Sequence, residues 1–295
     1  MRVDWFLYHV ASGHAFFSGM GLIAVAVVLA ATRTPVPRRG VSVLVLVGVL
    51  LAAISATPLP WFVYAITGVA VAAGLYAETR RDRLSHDRLV LARSAAVVSI
   101  VVAVSLEVPY HLPVRLEPQS GASLAVIGDS VTAGIGENEA VTWPRLIARR
   151  QEIGVRDLSA MGATVSSARN QADGLHHDDT IVVLEIGGND LLGETSVSSF
   201  STGLESLLRR VCRPGRTVVM FELPLPPTFN AYGRVQRRLA ARYEVVLIPK
   251  RVLMGVLTGR DATLDTIHLS PHGHERLAEA VWDVVGPAFV DAEDR

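Results

Sequence analysis

One cysteine, Cys212, and one lysine, Lys250, are all that the 295 residues contain of either type. A lone cysteine closes no intrachain disulfide and builds no cysteine metal cluster. Cys212 therefore reads as a buried, unreactive thiol, and the single lysine as a compositional preference for arginine. Aromatic residues make up only 6%, and 28 basic side chains balance 28 acidic ones. With no net charge and no basic stripe interleaved with aromatics, no nucleic-acid partner is expected. What the chain has in excess is apolar sequence, 50% hydrophobic residues, with a mean hydropathy of +0.35. The excess is concentrated in the first third, and the remainder reads as a soluble domain. A chain of this length accommodates one large core or two moderate ones.

Four apolar runs, at 15–31, 41–56, 61–76 and 89–106, make up most of that first third. A membrane-crossing helix needs about 20 residues, with a lower limit near 17. The outer two runs are adequate. The middle two are short and joined by Thr57-Pro58-Leu59-Pro60, so they form either a spanning hairpin or a re-entrant one. Arg93, near the start of the fourth run, can reach the headgroup region with its guanidinium. Trp5, Tyr8, Trp61 and Tyr110 stand at run edges, where amphipathic rings favour the interface. Only Arg2 precedes the first run, and Asp4 comes two residues after that arginine, which makes a poor cleavable leader.

Charge orients the runs. Arg33, Arg38 and Arg39 follow the first, and Arg80, Arg81, Arg83 and Arg88 follow the third, whereas the 57–60 turn carries no charge. Arginine-rich loops stay on the cytoplasmic side. Both loops are therefore expected inside and everything after Pro109 outside: a multi-pass cell-membrane protein with an extracytoplasmic C-terminal domain. His9, His14 and His111 are expected near the outer face as interfacial polar residues. The expected organisation is a transmembrane region at 1–113, a linker at 114–122 and a soluble domain at 123–295.

Within the soluble domain, short apolar runs at 124–127, 155–158, 181–186, 218–223 and 245–248 alternate with amphipathic stretches at 143–150, 165–172, 197–211 and 232–243, and a last helix follows Pro271. This alternation predicts βαβ units and a parallel α/β sheet covered on both faces. Ligands of such sheets sit beyond the carboxyl ends of the strands. The reactive residue types fall there. The first strand ends in Gly128-Asp129-Ser130, the second near Ser159-Ala160-Met161-Gly162, and the third in Gly187-Gly188-Asn189-Asp190. The last loop holds Asp265-Thr266-Ile267-His268, before a helix opened by Ser270 and Pro271.

These four blocks, in this order, resemble the SGNH hydrolases, the GDSL-type esterases and lipases. The resemblance covers about 123–285; Val131 stands where the family usually has leucine. It implies a flavodoxin-like three-layer α/β/α domain and a serine mechanism without cofactor or metal. Ser130 is then the nucleophile, His268 the base and Asp265 the residue that orients the imidazole. A serine hydroxyl is a weak nucleophile until a neighbouring base takes its proton, and a carboxylate stabilises the imidazolium that forms. The implied oxyanion donors are the backbone N–H groups of Ser130 and Gly162 and the side-chain amide of Asn189. Asp129 and Asp190 are expected to hold the loops by hydrogen bonds, and His272 and His274 to be surface residues.

The implied activity is hydrolysis of carboxylic esters through an acyl-serine intermediate, on a lipid or an acylated cell-envelope glycan, with membrane lipids as neighbours. Acyl transfer to a sugar hydroxyl is the alternative within enzymes, and a catalytically silent membrane scaffold the alternative outside them.

Overall fold

The computed structural model describes residues 2–32, 38–135, 141–265 and 267–290. Arg33, the Arg38 side chain and Thr266, all used in the sequence reading, lie outside what is described. The chain divides into two compact units. One takes in His9–His111 and Leu225–Asn230, the other Met1–Tyr8, Leu112–Pro224 and Ala231–Arg295.

The first of these is helical. After α1 (Arg2–Ala11) come α2 (His14–Ala31), α3 (Arg38–Ile54), α4 (Trp61–Thr79) and α5 (His86–Glu107), so every apolar run is a helix. Three stretches, His14–Ala31, Trp61–Thr79 and His86–His111, are long and apolar enough to cross a membrane; α3 is shorter. Small residues let two helix backbones approach closely, and α2 and α3 meet in this way. A Cβ on Gly19 would meet Gly48 O at 2.4 Å, and one on Gly48 would meet Gly19 O at 2.7 Å, so α2 and α3 cross backbone to backbone. Arg93 does more than reach outward. It forms a two-point ion pair with Glu78, at 2.5 and 3.1 Å. The three histidines do come together, with ring centroids 6.3 Å apart for His9 and His14 and 5.4 Å for His14 and His111.

The other unit is α/β. Its strands are β1 (Leu124–Gly128), β2 (Val155–Asp157), β3 (Ile181–Glu185), β4 (Thr217–Phe221) and β5 (Val246–Ile248), all parallel, in the order β2-β1-β3-β4-β5. Every residue of β1 and β3 is buried, which explains why they read as unbroken apolar runs and not as alternating ones. Between and after them lie α6 (Ser130–Ala133), α7 (Trp143–Gln151), α8 (Ala168–Ala172), α9 (Gly188–Leu192), α10 (Val197–Val211), α11 (Asn230–Arg242), α12 (Lys250–Leu257) and α13 (Pro271–Val285). Alternate strand residues face opposite layers. Leu124, Val126, Val183 and Val219 pack with Trp143 and Ile147 of α7 and Leu277 and Val281 of α13. On the other side α10 packs with α8, burying Phe200, Leu204, Leu207 and Val211 completely. The result is a three-layer α/β/α fold.

Three local expectations need correction. The stretch 165–172 is helical only from Ala168, because Thr164 and Ser167 bond to one another's backbone N–H groups at 2.8 and 3.3 Å and hold a turn instead. Helix α12 was not foreseen; its eight residues are too short and too apolar to reveal a period. Lys250, at its start, is more than a compositional remnant. It is 1% exposed, and its Nζ faces Glu222 at 3.5 Å, with Arg237 on the same carboxylate oxygen at 2.6 Å. The segment after α5 is docked to the α/β unit through Leu116 N–H to Val284 O at 2.8 Å and Gln119 N–H to Ala288 O at 3.0 Å.

Candidate active site

In a 2-1-3-4-5 parallel sheet the chain leaves β1 and β3 in opposite directions, and the crevice between their carboxyl ends is where ligands bind. The register pairs Gly128 with Glu185 at the last step of those two strands. The next residues on each strand are therefore neighbours: Asp129-Ser130 on one side, Ile186-Gly187-Gly188-Asn189 on the other.

Ser130 opens α6 and is 7% exposed. Its turn is shaped by Asp129, whose Oδ1 accepts the Val131 N–H at 3.0 Å, while the Asp129 N–H donates to Glu185 O at 3.2 Å. Gln171 clamps the preceding residue from both sides: its Oε1 accepts the Gly128 N–H at 3.1 Å, and its Nε2 donates to Gly128 O at 3.0 Å. Gly187 takes φ 115°, a left-handed conformation that side chains rarely adopt, and it swings Asn189 back towards Asp129. The Asn189 Nδ2 donates to Asp129 Oδ2 at 3.3 Å and to Ala163 O at 3.0 Å. Asp190 Oδ2 accepts the Val165 N–H at 2.9 Å. The Gly162 loop is thus tied to β3, as the sequence suggested for Asp129 and Asp190. Gly162 itself is exposed, with φ 72° and nothing within 4 Å of a Cβ position. Among the described residues, neither its backbone N–H nor that of Ser130 is used in a hydrogen bond.

On the last loop, Asp265 Oδ2 lies 2.7 Å from His268 Nδ1, and Asp265 Oδ1 accepts the Ile267 and His268 N–H groups at 2.7 and 2.8 Å. The hydrogen bond from His268, with the two backbone donors, holds the Asp265 carboxyl far below the usual carboxylate range. Among the described residues, Ser130 Oγ makes no hydrogen bond to His268. Contacts of this kind commonly tighten only when substrate is bound.

Burial dominates the other carboxyls. It raises the pKa of Asp129 and of Asp190, and raises that of Glu185 well above the ordinary value, with the charge of Asp129 adding to it. Burial likewise pushes the Cys212 thiol up to about 11, which leaves it unreactive at neutral pH.

Sequence reasoning missed three residues around the site. His274 is 1% exposed, and its Nδ1 accepts the Trp143 N–H at 3.3 Å. It is a core histidine, because position 274 on α13 faces α7, whereas His272 does remain exposed. Gln171 and Glu185 carry no motif; the only available signal for Glu185 was a carboxylate at the end of an otherwise apolar strand.

The profile of the GDSL-like Lipase/Acylhydrolase family matches residues 126–276, about half of the chain. Esterase TesA of Pseudomonas aeruginosa is 28% identical over 188 residues, covering 59% of this chain and 93% of that protein. The arylesterase of Vibrio mimicus is 26% identical over 176 residues, covering 55% and 88%. A crystal structure of TesA aligns over 54% of this chain and 96% of its own, with a TM-score of 0.48 and 28% identity. The chain belongs to the GDSL-like lipase/acylhydrolase (SGNH) family and is a serine hydrolase acting on ester bonds.

Proposed function

We propose that this chain is a membrane-anchored serine esterase whose nucleophile is Ser130, whose base is His268 and whose orienting acid is Asp265, acting outside the cytoplasm on a lipid or an acylated envelope glycan. The hydrogen bond of 2.7 Å between Asp265 and His268 Nδ1 carries the reading. It fixes the tautomer with the proton on Nδ1, so Nε2 presents its lone pair as the base. Ser130 Oγ then attacks the ester carbonyl as its proton passes to His268 Nε2. The oxyanion is received by the Ser130 and Gly162 N–H groups and by the Asn189 amide. Imidazolium returns the proton to the departing alcohol, and water, activated in the same way, releases the acid and frees Ser130. Both Asn189 amide hydrogens are engaged in the free protein; the longer bond, 3.3 Å to Asp129, is the one that gives way to the oxyanion.

The chain is organised as a membrane region at 1–113, a linker at 114–122 and a hydrolase domain at 123–295. Three apolar helices of sufficient length support the anchoring, and the two arginine-rich loops support the orientation. A reporter active only outside the cytoplasm is expected to be active when fused after Arg295 and silent after Arg39 or Arg83. Activity after Arg83, or silence after Arg295, reverses the orientation and with it the envelope substrate.

The low exposure of Ser130, 7%, favours one second reading: transfer of the acyl group to a sugar hydroxyl in place of water. A panel of acyl esters of graded chain length, with and without sugar acceptors, separates the two. Hydrolysis at a rate indifferent to acceptor supports the esterase. Acylated sugar formed at the expense of free acid identifies the transferase.

A further inference from the structure

Beneath the nucleophile turn lies a pair of carboxyl groups that the acyl-serine chemistry does not use. Glu185 is 2% exposed at the end of β3 and Asp129, which follows β1, is 3% exposed, and both hold the same turn, Asp129 Oδ1 through the Val131 N–H and Glu185 Oε2 through the Thr132 hydroxyl. An ionised carboxylate has no donor, so a hydrogen bond between two carboxyls requires one proton. Two buried charges of like sign would otherwise face each other with nothing to offset them. The partners decide where the proton sits. Asp129 accepts the Val131 N–H at 3.0 Å and the Asn189 amide at 3.3 Å. Glu185 Oε2 accepts the Thr132 hydroxyl, a neutral donor, at 2.9 Å, and Thr132 Oγ1 is itself held by Trp143 Nε1 at 3.2 Å. The charge belongs on Asp129 and the proton on Glu185. The other ionisable groups bearing on the pair are Asp190 and His268.

We propose that Glu185 is a positioning residue of the esterase: as a neutral acid it donates to Asp129, and the single negative charge so placed fixes both the nucleophile turn, through the Val131 N–H, and the oxyanion amide of Asn189. The proposal rests on the assignment of Ser130 and Asn189 given above. A bare Asp129 would have lost one of its three donors, and its carboxyl would be free to turn away from Val131 or Asn189. An ionised Glu185 would repel Asp129 and loosen the same two contacts.

The test is the pH dependence of kcat and KM for a short-chain acyl ester on the full-length protein in detergent micelles, compared for wild type, Glu185→Leu, Glu185→Gln and Ser130→Ala. Losing a hydrogen bond to a charged group predicts that Glu185→Leu lowers kcat on the order of 10- to 100-fold, with KM little changed. Glu185→Gln matches the shape, donates to Asp129 through its amide and accepts from Thr132 through its carbonyl, so most of kcat returns. The wild type should lose kcat on the alkaline side as Glu185 ionises, and Glu185→Gln should lack that limb. An infrared band from a protonated carboxylic acid should be present in the wild type at pH 8 and absent from Glu185→Gln. The proposal is overturned if the glutamine variant is as slow as the leucine variant, if its alkaline limb is unchanged, or if the acid band is missing from wild type. Should Ser130→Ala retain turnover, it is the catalytic assignment that fails; should Ser130→Ala be inactive while Glu185→Leu behaves as wild type, only the role of Glu185 fails.

Discussion

Ser130→Ala should lower kcat for ester hydrolysis by about 10⁶, and His268→Ala by a comparable factor, because nucleophile and base act as one unit. The double variant should be no slower than either single one. The fold gives a reason to expect a clean result. Helix α6 is capped by the Asp129 side chain on Val131, not by the Ser130 hydroxyl, so alanine removes the reacting oxygen and leaves the turn in place. Asp265→Asn should be milder, about 10⁴. The carboxylate accepts from Ile267 N–H and His268 N–H on one oxygen and faces His268 Nδ1 with the other. An asparagine keeps the backbone bonds only by turning its amide nitrogen towards the ring, which then presents the wrong tautomer. Steady-state hydrolysis of a chromogenic ester checks all of these. Substantial turnover in Ser130→Ala would remove the serine from the mechanism.

Asn189→Ala should lower kcat by about 10²–10³ while leaving KM nearly unchanged, since the amide meets a charge that exists only in the transition state. The competing account is structural. The same amide ties Asp129 to Ala163 O, so its loss could instead loosen the Gly162 loop and weaken substrate binding. The two separate kinetically. A rise in KM at steady kcat would make Asn189 a loop fastener or a binding residue and leave the oxyanion to the backbone N–H groups of Ser130 and Gly162.

Much of this architecture could be read from the chain because it depends on local pattern. The runs 124–127 and 181–186 are unbroken apolar stretches since both faces of β1 and β3 are covered, and the Gly-Asp-Ser and Gly-Gly-Asn-Asp blocks follow them directly. The pairing of Asp265 with His268 was legible for the same reason, being three residues apart on one loop. What stayed hidden depends on tertiary neighbours. His274 looked like a surface residue until α13 was laid against α7 and Trp143 was placed over it. Lys250 looked like a stray basic residue until β4 and α11 brought Glu222 and Arg237 beside it. Glu185 could not be paired with Asp129, 56 positions away in sequence, without the β1–β3 register. The α2–α3 contact at Gly19 and Gly48 was likewise invisible, because a glycine in an apolar helix signals a close approach only when its partner helix is known.

The central claim is that catalysis passes through a covalent bond to Ser130. Its most direct test is to treat the purified full-length protein with a fluorophosphonate and locate the modification by peptide mass spectrometry. The account predicts one phosphonyl group, on the peptide that contains Ser130, with hydrolysis lost in proportion to labelling and no label on Ser130→Ala. Label on a different residue that tracks the loss of activity, or full activity with Ser130 modified, would contradict it.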